Sequence, residues 1–579
     1  MTDTESTMPI ENTVWTRGYS DDYWNDPVTP LFFELLGDQL TQIVNAELNG
    51  IMGYSKIGEK TDQLLLLYRS HVYFNLEVLK RKVENEIPPM VRNNDVLNYF
   101  EEGNGPYGKE TMKKQPFRLP KRAMAEIRVM LFDRNGSITK TASAYEKWSK
   151  MQFYPFKAQF NQKFPKLVET RDINGLLKLA ADLDKVMIGH FRLVRYGIPV
   201  HNIGMNLIAQ YILSRLIGKE DATESYLVLL GGLEHKTKQT NDQLFNLASI
   251  ISANHELRIK ILTNPSSTLL STLRSDPDFA TKRFVEEIDR FFSDYGFRGY
   301  TREPYYPRWE EAPEHVFNIL KTMIQEENVK QKEKVGGELS KEDVASRVKA
   351  QPLGWVKWQV FSLVLGFARK YIIFREEQRF HLDQWITMNR KIFLTIGETF
   401  YNLDILREPR DIFFMPRCEI KKVVDGQCDN LEIEKIKQSI SRRKREFLEN
   451  EKVTPPKFLR GNQESTEANC GEQTEFEGIP ASRGVLSGPV RVLESIDDIC
   501  LVRPGEILVV PRTDPGWTPV FRIIGGLITE TGGLLSHGAV VSREYGIPAV
   551  TNIPNACRIF KTGQMLTIDG SKGTVTIKC

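Results

Sequence analysis

Cysteine is scarce in this chain of 579 residues: six, at positions 418, 428, 470, 500, 557 and 579, with no CxxC pair and no histidine at metal-ligand spacing. That argues against a disulfide framework and a zinc site, and reduced thiols in a cytoplasm are the simplest reading. Charge of one sign is lacking too. The 78 Lys plus Arg stand against 75 Asp plus Glu, a net +3 that gives no electrostatic case for nucleic acid. The opening MTDTESTMPIENT has neither the basic nor the apolar stretch of a secretory leader and predicts a flexible tail over 1–12. The longest uncharged run, Tyr196 to Ser214, is broken by Pro199, His201, Asn202, Asn206 and Gln210. It is too polar for a membrane span and predicts a buried helix. No GxxxxGK[ST] phosphate loop occurs.

What is present is ordinary globular composition, 41% hydrophobic and 26% charged, over a length that outgrows a single core, so several domains are expected. From about 30 to 405 the apolar spacing is helical, as in Leu176, Leu179, Leu183 and Val186, and strand alternation is scarce. This predicts a large all-helical domain over 13–420. A charged helical stretch, Leu431 to Glu449, then leads to Pro455-Pro456 and a polar run from Gly461 to Glu475, so 421–475 reads as a hinge linker. Arg442, Arg443, Lys444 and Arg445 fit a solvated helix face better than a phosphate site. Beyond 476 come short β-rich runs cut by glycine (VLSGPVRVL, EILVVP, GGLIT, IPAVT, MLTIDG, GTVTI), a small β/α domain over 476–579.

The segment with chemistry is Thr529 to Val550, TETGGLLSHGAVVSREYGIPAV, in which a β-run ends in a Gly-Gly turn and a helix-compatible run follows Ser536. His537 thus falls at a helix N-terminus, where free amides and the helix dipole favour an anion, and Gly532 and Gly533 let the backbone come close. A neutral imidazole is nucleophilic near pH 7 and forms a labile N–P bond, which suits covalent phosphoryl relay. Thr531, Ser536 and Arg543 are candidates to hold the phosphate. His537 is expected on the surface of its domain.

That segment, with GIPASRGVLSGPVRVL (478–493), PGEILVVPRTDPGWTPVF (504–521) and IDGSKGTVTI (568–577), resembles the phosphohistidine mobile domain of phosphoenolpyruvate synthase, pyruvate phosphate dikinase and rifampin phosphotransferase. Upstream, TVWTRGYSDDYWNDPVTPLFFE (13–34), DYGFRGYTREPYYPRWEEAP (294–313) and LREPRDIFFMPRCEI (406–420) resemble the substrate-binding domain of the rifampin enzymes. Relatives commonly read Gly-His-Arg-Gly in the second stretch, and here Phe297 stands where that His would be. Arg298 and Glu303 are acceptor-domain candidates, as a charge on the transferring group or as a buried ion pair. Arg17 and Trp15 are candidates to line a pocket, with core packing the alternative for the tryptophan.

The 579 residues offer no Gly-rich strand–loop for an ATP-grasp module. The resemblance therefore implies a separate ATP-grasp subunit that supplies ATP with Mg2+ or Mn2+, and no cofactor or metal bound tightly by this chain. Phenylphosphate synthase divides its labour in this way, which implies phenol, ATP and water giving phenylphosphate, AMP and phosphate. The acceptor is then a small hydroxylated, aromatic molecule. Two other readings are phosphorylation of another alcohol or enol in natural-product or antibiotic modification, and a phosphorelay carrier without a small-molecule substrate. His71, His190, His201, His235, His255, His315 and His381 are candidate bases by residue type alone.

Overall fold

The computed structural model describes residues 13–18, 24, 26–37, 44–56, 63–92, 94–101, 103–324, 340–453, 455–460, 463–464, 474–494, 496–513, 515–534 and 536–577. The chain divides into two units, 1–205 with 302–306 and 381–468, and 206–301 with 307–380 and 469–579. The expected tail and residues 465–473 of the expected linker lie outside the described residues. No helix among the described residues is long and apolar enough to cross a membrane.

The first unit is helical, and it also holds a small antiparallel sheet that helical periodicity conceals. Its strands are β1 (Val14–Thr16), β2 (Leu65–Tyr68), β3 (His71–Asn75), β4 (Phe458–Arg460) and β5 (Gln463–Glu464), in the order β2-β3-β1-β4-β5. β2 and β3 form a hairpin whose two turn residues, Arg69 (φ 46°) and Ser70 (φ 59°), are both left-handed without being glycine or asparagine. Trp15, Leu66, Tyr73 and Leu459 pack together as the core of this sheet. Part of the expected linker is therefore built in: Asp429 caps the helix Asn430–Asn450, and β4 pairs with β1. Two of its four consecutive basic residues are held in ion pairs, Arg443 with Glu419 (2.9 Å) and Lys444 with Asp411 (2.8 Å), and so do not form a merely solvated face. After Tyr196, the last residue of an α-helix, the uncharged run passes through a π-helix, Gly197–Asn202. Pro199 lacks the N–H that a regular turn would use, and a widened turn accommodates it.

In the second unit the helices Lys236–Ala253, His255–Thr263, Ser266–Ser275, Phe279–Tyr295 and Glu314–Ile324 close on one core that includes Leu244, Ile251, Leu269, Phe284, Ile288, Trp309 and Phe317. Asn254 and Asp278 cap two of these helices with side-chain oxygens. The C-terminal β/α domain has β6 (Glu475–Glu477), β7 (Ile479–Ser482), β8 (Val485–Val492), β9 (Ile507–Val510), β10 (Gly526–Thr529), β11 (Ala549–Thr551), β12 (Met565–Asp569) and β13 (Thr574–Ile577), in the order β6-β13-β12-β8-β9-β10-β11-β7. β8 to β11 run parallel and the flanking strands antiparallel. All four residues of β9 and of β10 are buried, as apolar runs covered on both faces must be. The long helix Gly354–Asn402 contributes its residues up to Phe380 to this unit.

Phe284 is fully buried in the helical core. Phe284→Ala should destabilise that core by roughly 3–5 kcal/mol, read as an earlier urea midpoint for the helical signal. An unchanged midpoint would mean that these helices do not unfold as a packed unit.

Candidate active site

β10 ends at Thr529, and the next helix, His537–Tyr545, begins with the histidine itself. Gly532 takes φ +114°, and a Cβ there would lie 2.9 Å from that of Ser536, so the turn requires glycine. Ser536 is the N-cap, its Oγ accepting from Ala539 N (3.4 Å), and its own N–H donates to Gly533 O (2.9 Å). A Cβ on Gly538 would meet Thr513 Oγ1 at 2.5 Å, which shows how tightly the first turn of the helix is pressed down.

The other expected phosphate ligands are engaged in the loop. Thr531 N–H and Oγ1 both donate to Pro511 O, at 3.2 and 3.3 Å. Arg543 Nη1 donates to Leu534 O (2.8 Å) and Ala481 O (3.0 Å), tying the loop to β7. In this arrangement Thr531 and Arg543 shape the loop that seats His537.

His537 is not on a surface. It is 3% exposed, because the helix it opens packs on the helical part of the same unit. Leu233 N–H donates to Glu544 Oε1 (3.2 Å), and Arg522 lies over the ring of Phe245 (3.4 Å to its centroid). Small-domain size alone suggested exposure, and the packing partner overrides it.

Against the imidazole stands a group that sequence reading did not single out. His537 Nδ1 lies 4.0 Å from Glu376 Oε2, and Glu376 is 1% exposed. Thr237 Oγ1 donates to the same carboxylate oxygen (2.8 Å), and Arg379 Nη1 is 3.7 Å from its Oε1. Burial pushes the His537 ring down to about 3; Glu376 pulls the other way, while Arg379, Arg298 and His235 push it further down. Burial would raise the Glu376 carboxyl, but Arg379 and the other positive groups carry it down to about 2. Near neutral pH the site holds a neutral imidazole beside an anionic carboxylate.

Of the acceptor-domain candidates, Arg298 belongs here. It is 2% exposed, bears on the charge of His537, and stacks over Phe380 (5.4 Å), one turn beyond Glu376. Phe297 packs edge-on to Phe380 at 4.9 Å, and Lys236 approaches the same ring (5.4 Å). Glu303 lies in the first unit, where Thr29 N–H (2.9 Å), Thr29 Oγ1 (2.8 Å) and Tyr305 N–H (3.1 Å) donate to it. It holds two loops there. Trp15 is core in β1, and Arg17 is buried and donates to Val72 O and Trp24 O. His71, His190, His201 and His381 have hydrogen-bond partners in the first unit. The missed signal was the cluster Arg375, Glu376, Gln378 and Arg379, four polar residues inside a helix that has to be buried.

Residues 502–573 match the family model described as PEP-utilising enzyme, mobile domain. The chain carries that mobile domain. Residues 197–376 match the fourth domain of rifampicin phosphotransferase, and the second unit holds most of that region together with residues 502–573. Rifampicin phosphotransferase of Bacillus subtilis (strain 168) is 32% identical over 280 residues, 47% of this chain and 32% of that protein. The prodigiosin synthesizing transferase PigC of Serratia marcescens is 26% identical over 374 residues (61% and 41%). Phosphoenolpyruvate synthase of Aeropyrum pernix is 40% identical over 99 residues (17% and 12%). The chain spans about a third of the length of the rifampicin phosphotransferases that it matches.

A ring held neutral by burial binds its proton only once it is exposed. The stability this contributes is present above the free value of 6.5 and is lost as pH falls from there toward about 3. Between pH 6.5 and 5 the mobile domain should therefore become easier to detach or unfold by about 2 kcal/mol, while the His537 ring keeps neutral-imidazole nitrogen shifts at pH 5. A His537 resonance that titrates near 6.5 in the intact chain would refute this burial.

Proposed function

We propose that this chain is a phosphotransferase component that carries a phosphoryl group on His537 and passes it to a hydroxyl of a small molecule. The observation that carries the reading is the neutral, buried imidazole at a helix N-terminus, faced by Glu376, Arg298 and Arg379, within the mobile domain of PEP-utilising enzymes. In the transfer the N–P bond breaks as the acceptor oxygen forms its bond to phosphorus. Arg298 and Arg379 offset the charge on the equatorial oxygens. Glu376 faces Nδ1 and favours the tautomer that leaves Nε2 as nucleophile and leaving group.

The acceptor we favour is a hydroxylated aromatic molecule, phenol being the simplest, because Phe297, Tyr295 and Phe380 gather beside this site. The names of the rifampicin and prodigiosin relatives favour a second acceptor class, a natural-product or antibiotic hydroxyl. The donor we propose is ATP with Mg2+ or Mn2+ on a separate ATP-grasp subunit, ATP and water giving AMP and phosphate with the phosphorylated acceptor.

Parallel incubations with that subunit and β-labelled or γ-labelled ATP should place an acid-labile, base-stable label on the wild-type chain from one of the two, the other label being released as phosphate. His537→Ala should lose the label and lower turnover by at least roughly 10⁴-fold while the fold persists. A panel of phenols and natural-product alcohols then names the acceptor. Full activity in the variant would end the phosphohistidine reading, and discharge of the label to a protein alone would favour a phosphorelay carrier.

A second outcome concerns the donor. Calorimetry of the purified chain with ATP should give no binding heat, and micromolar affinity without a partner would contradict a separate charging subunit.

A further inference from the structure

The segment Leu233 to Thr237 belongs neither to the loop of His537 nor to the helix of Glu376, yet it touches the surroundings of both. Leu233 bonds Glu544 on the helix that begins at His537, and Thr237 bonds Glu376. Midway stands His235, 3% exposed and within electrostatic reach of both His537 and Glu376.

His235 is the N-cap of the helix Lys236–Ala253, its Nδ1 accepting from Lys238 N at 3.3 Å. Histidine is not a preferred cap, since Ser, Asp or Asn does this with less bulk. An Nδ1 that accepts an N–H carries no proton, so the neutral ring holds its proton on Nε2. That Nε2 is buried and has no hydrogen-bond partner among the described residues. A buried donor left unused is costly, and an anion seated in front of it removes the cost. The amides and dipole of an 18-residue helix start at the same place.

We propose that His235, through Nε2–H and with the first amides of the helix Lys236–Ala253, binds a phosphoryl oxygen of phosphorylated His537 while the mobile domain is packed on these helices. The proposal rests on the phosphohistidine reading above. His235 is then a fixed donor and not a base, because its only free lone pair is taken by Lys238.

The test uses the full-length chain, with phosphoramidate as the phosphoryl source so that no partner is needed. In protein labelled with ¹⁵N-histidine, His235 should show the Nε2–H tautomer, and its Nε2 resonance should move when His537 is loaded. No movement should follow treatment of His537→Ala. His235→Ser keeps a good helix cap but has no donor of that reach. It should melt within a few degrees of wild type and lose its label to water about tenfold faster, the equivalent of one charge-assisted hydrogen bond. Unchanged label lifetime in the serine variant, or an unmoved His235 resonance in loaded wild type, overturns the role of His235 and leaves phosphohistidine standing. Absence of any acid-labile label in wild type overturns both. If the serine variant does not fold, the resonance shift in wild type decides.

Discussion

Burying an ionisable ring without charging it is the constraint around which the second unit is arranged. An imidazole taken out of water resists protonation, and the carboxylate of Glu376 beside it would by itself favour the charged form. Burial outweighs that pull, Arg379 and Arg298 reinforce burial, and Arg379 also compensates the buried carboxylate. None of these groups tolerates loss of its neighbours: a lone Glu376 at 1% exposure would be a costly buried charge. The charges are therefore interlocked, and the packing that buries them keeps the ring neutral well below its ordinary value of 6.5.

The local backbone serves the same end. Gly532 reverses the chain in a conformation other residues avoid, Gly538 lets the helix sink onto Thr513 and Leu527, and Arg543 clamps the loop through two carbonyl oxygens. A threonine, a serine and an arginine near a phosphorylatable histidine read naturally as phosphate ligands. Here Thr531 and Arg543 donate to backbone oxygens, and Ser536 Oγ accepts a backbone N–H. Those bonds preorganise the loop around His537.

The part of this that was legible in the sequence is the part that is local. His537, its turn and the parallel strands lie within one contiguous stretch whose glycines and β-runs declare themselves. Glu376 and His235 lie some 160 and 300 positions before His537, and no periodicity joins them to it. The small sheet escaped for a related reason: β1 and β4 have three residues each and lie far apart in the chain, and the β2–β3 turn is made by Arg69 and Ser70, which carry no hairpin signature. Surface exposure of His537 was inferred from domain size, a quantity blind to what the domain packs against.

The low basicity of Glu376 bears on what a carboxylate can do in such a site. A general base works best when its conjugate acid has a pKa near the working pH, and one held at about 2 is a poor acceptor for the proton of an alcohol or phenol. What it keeps is a full negative charge 4.0 Å from His537 Nδ1. That charge grows more favourable as the ring gains positive character and less favourable if a dianionic phosphoryl group dwells on Nε2. If His537 carries a phosphoryl group as proposed, the carboxylate stabilises the imidazole as it forms the N–P bond and opposes long residence of the phosphoryl group. A carrier site needs this combination, holding its cargo firmly enough to accept it and weakly enough to give it up.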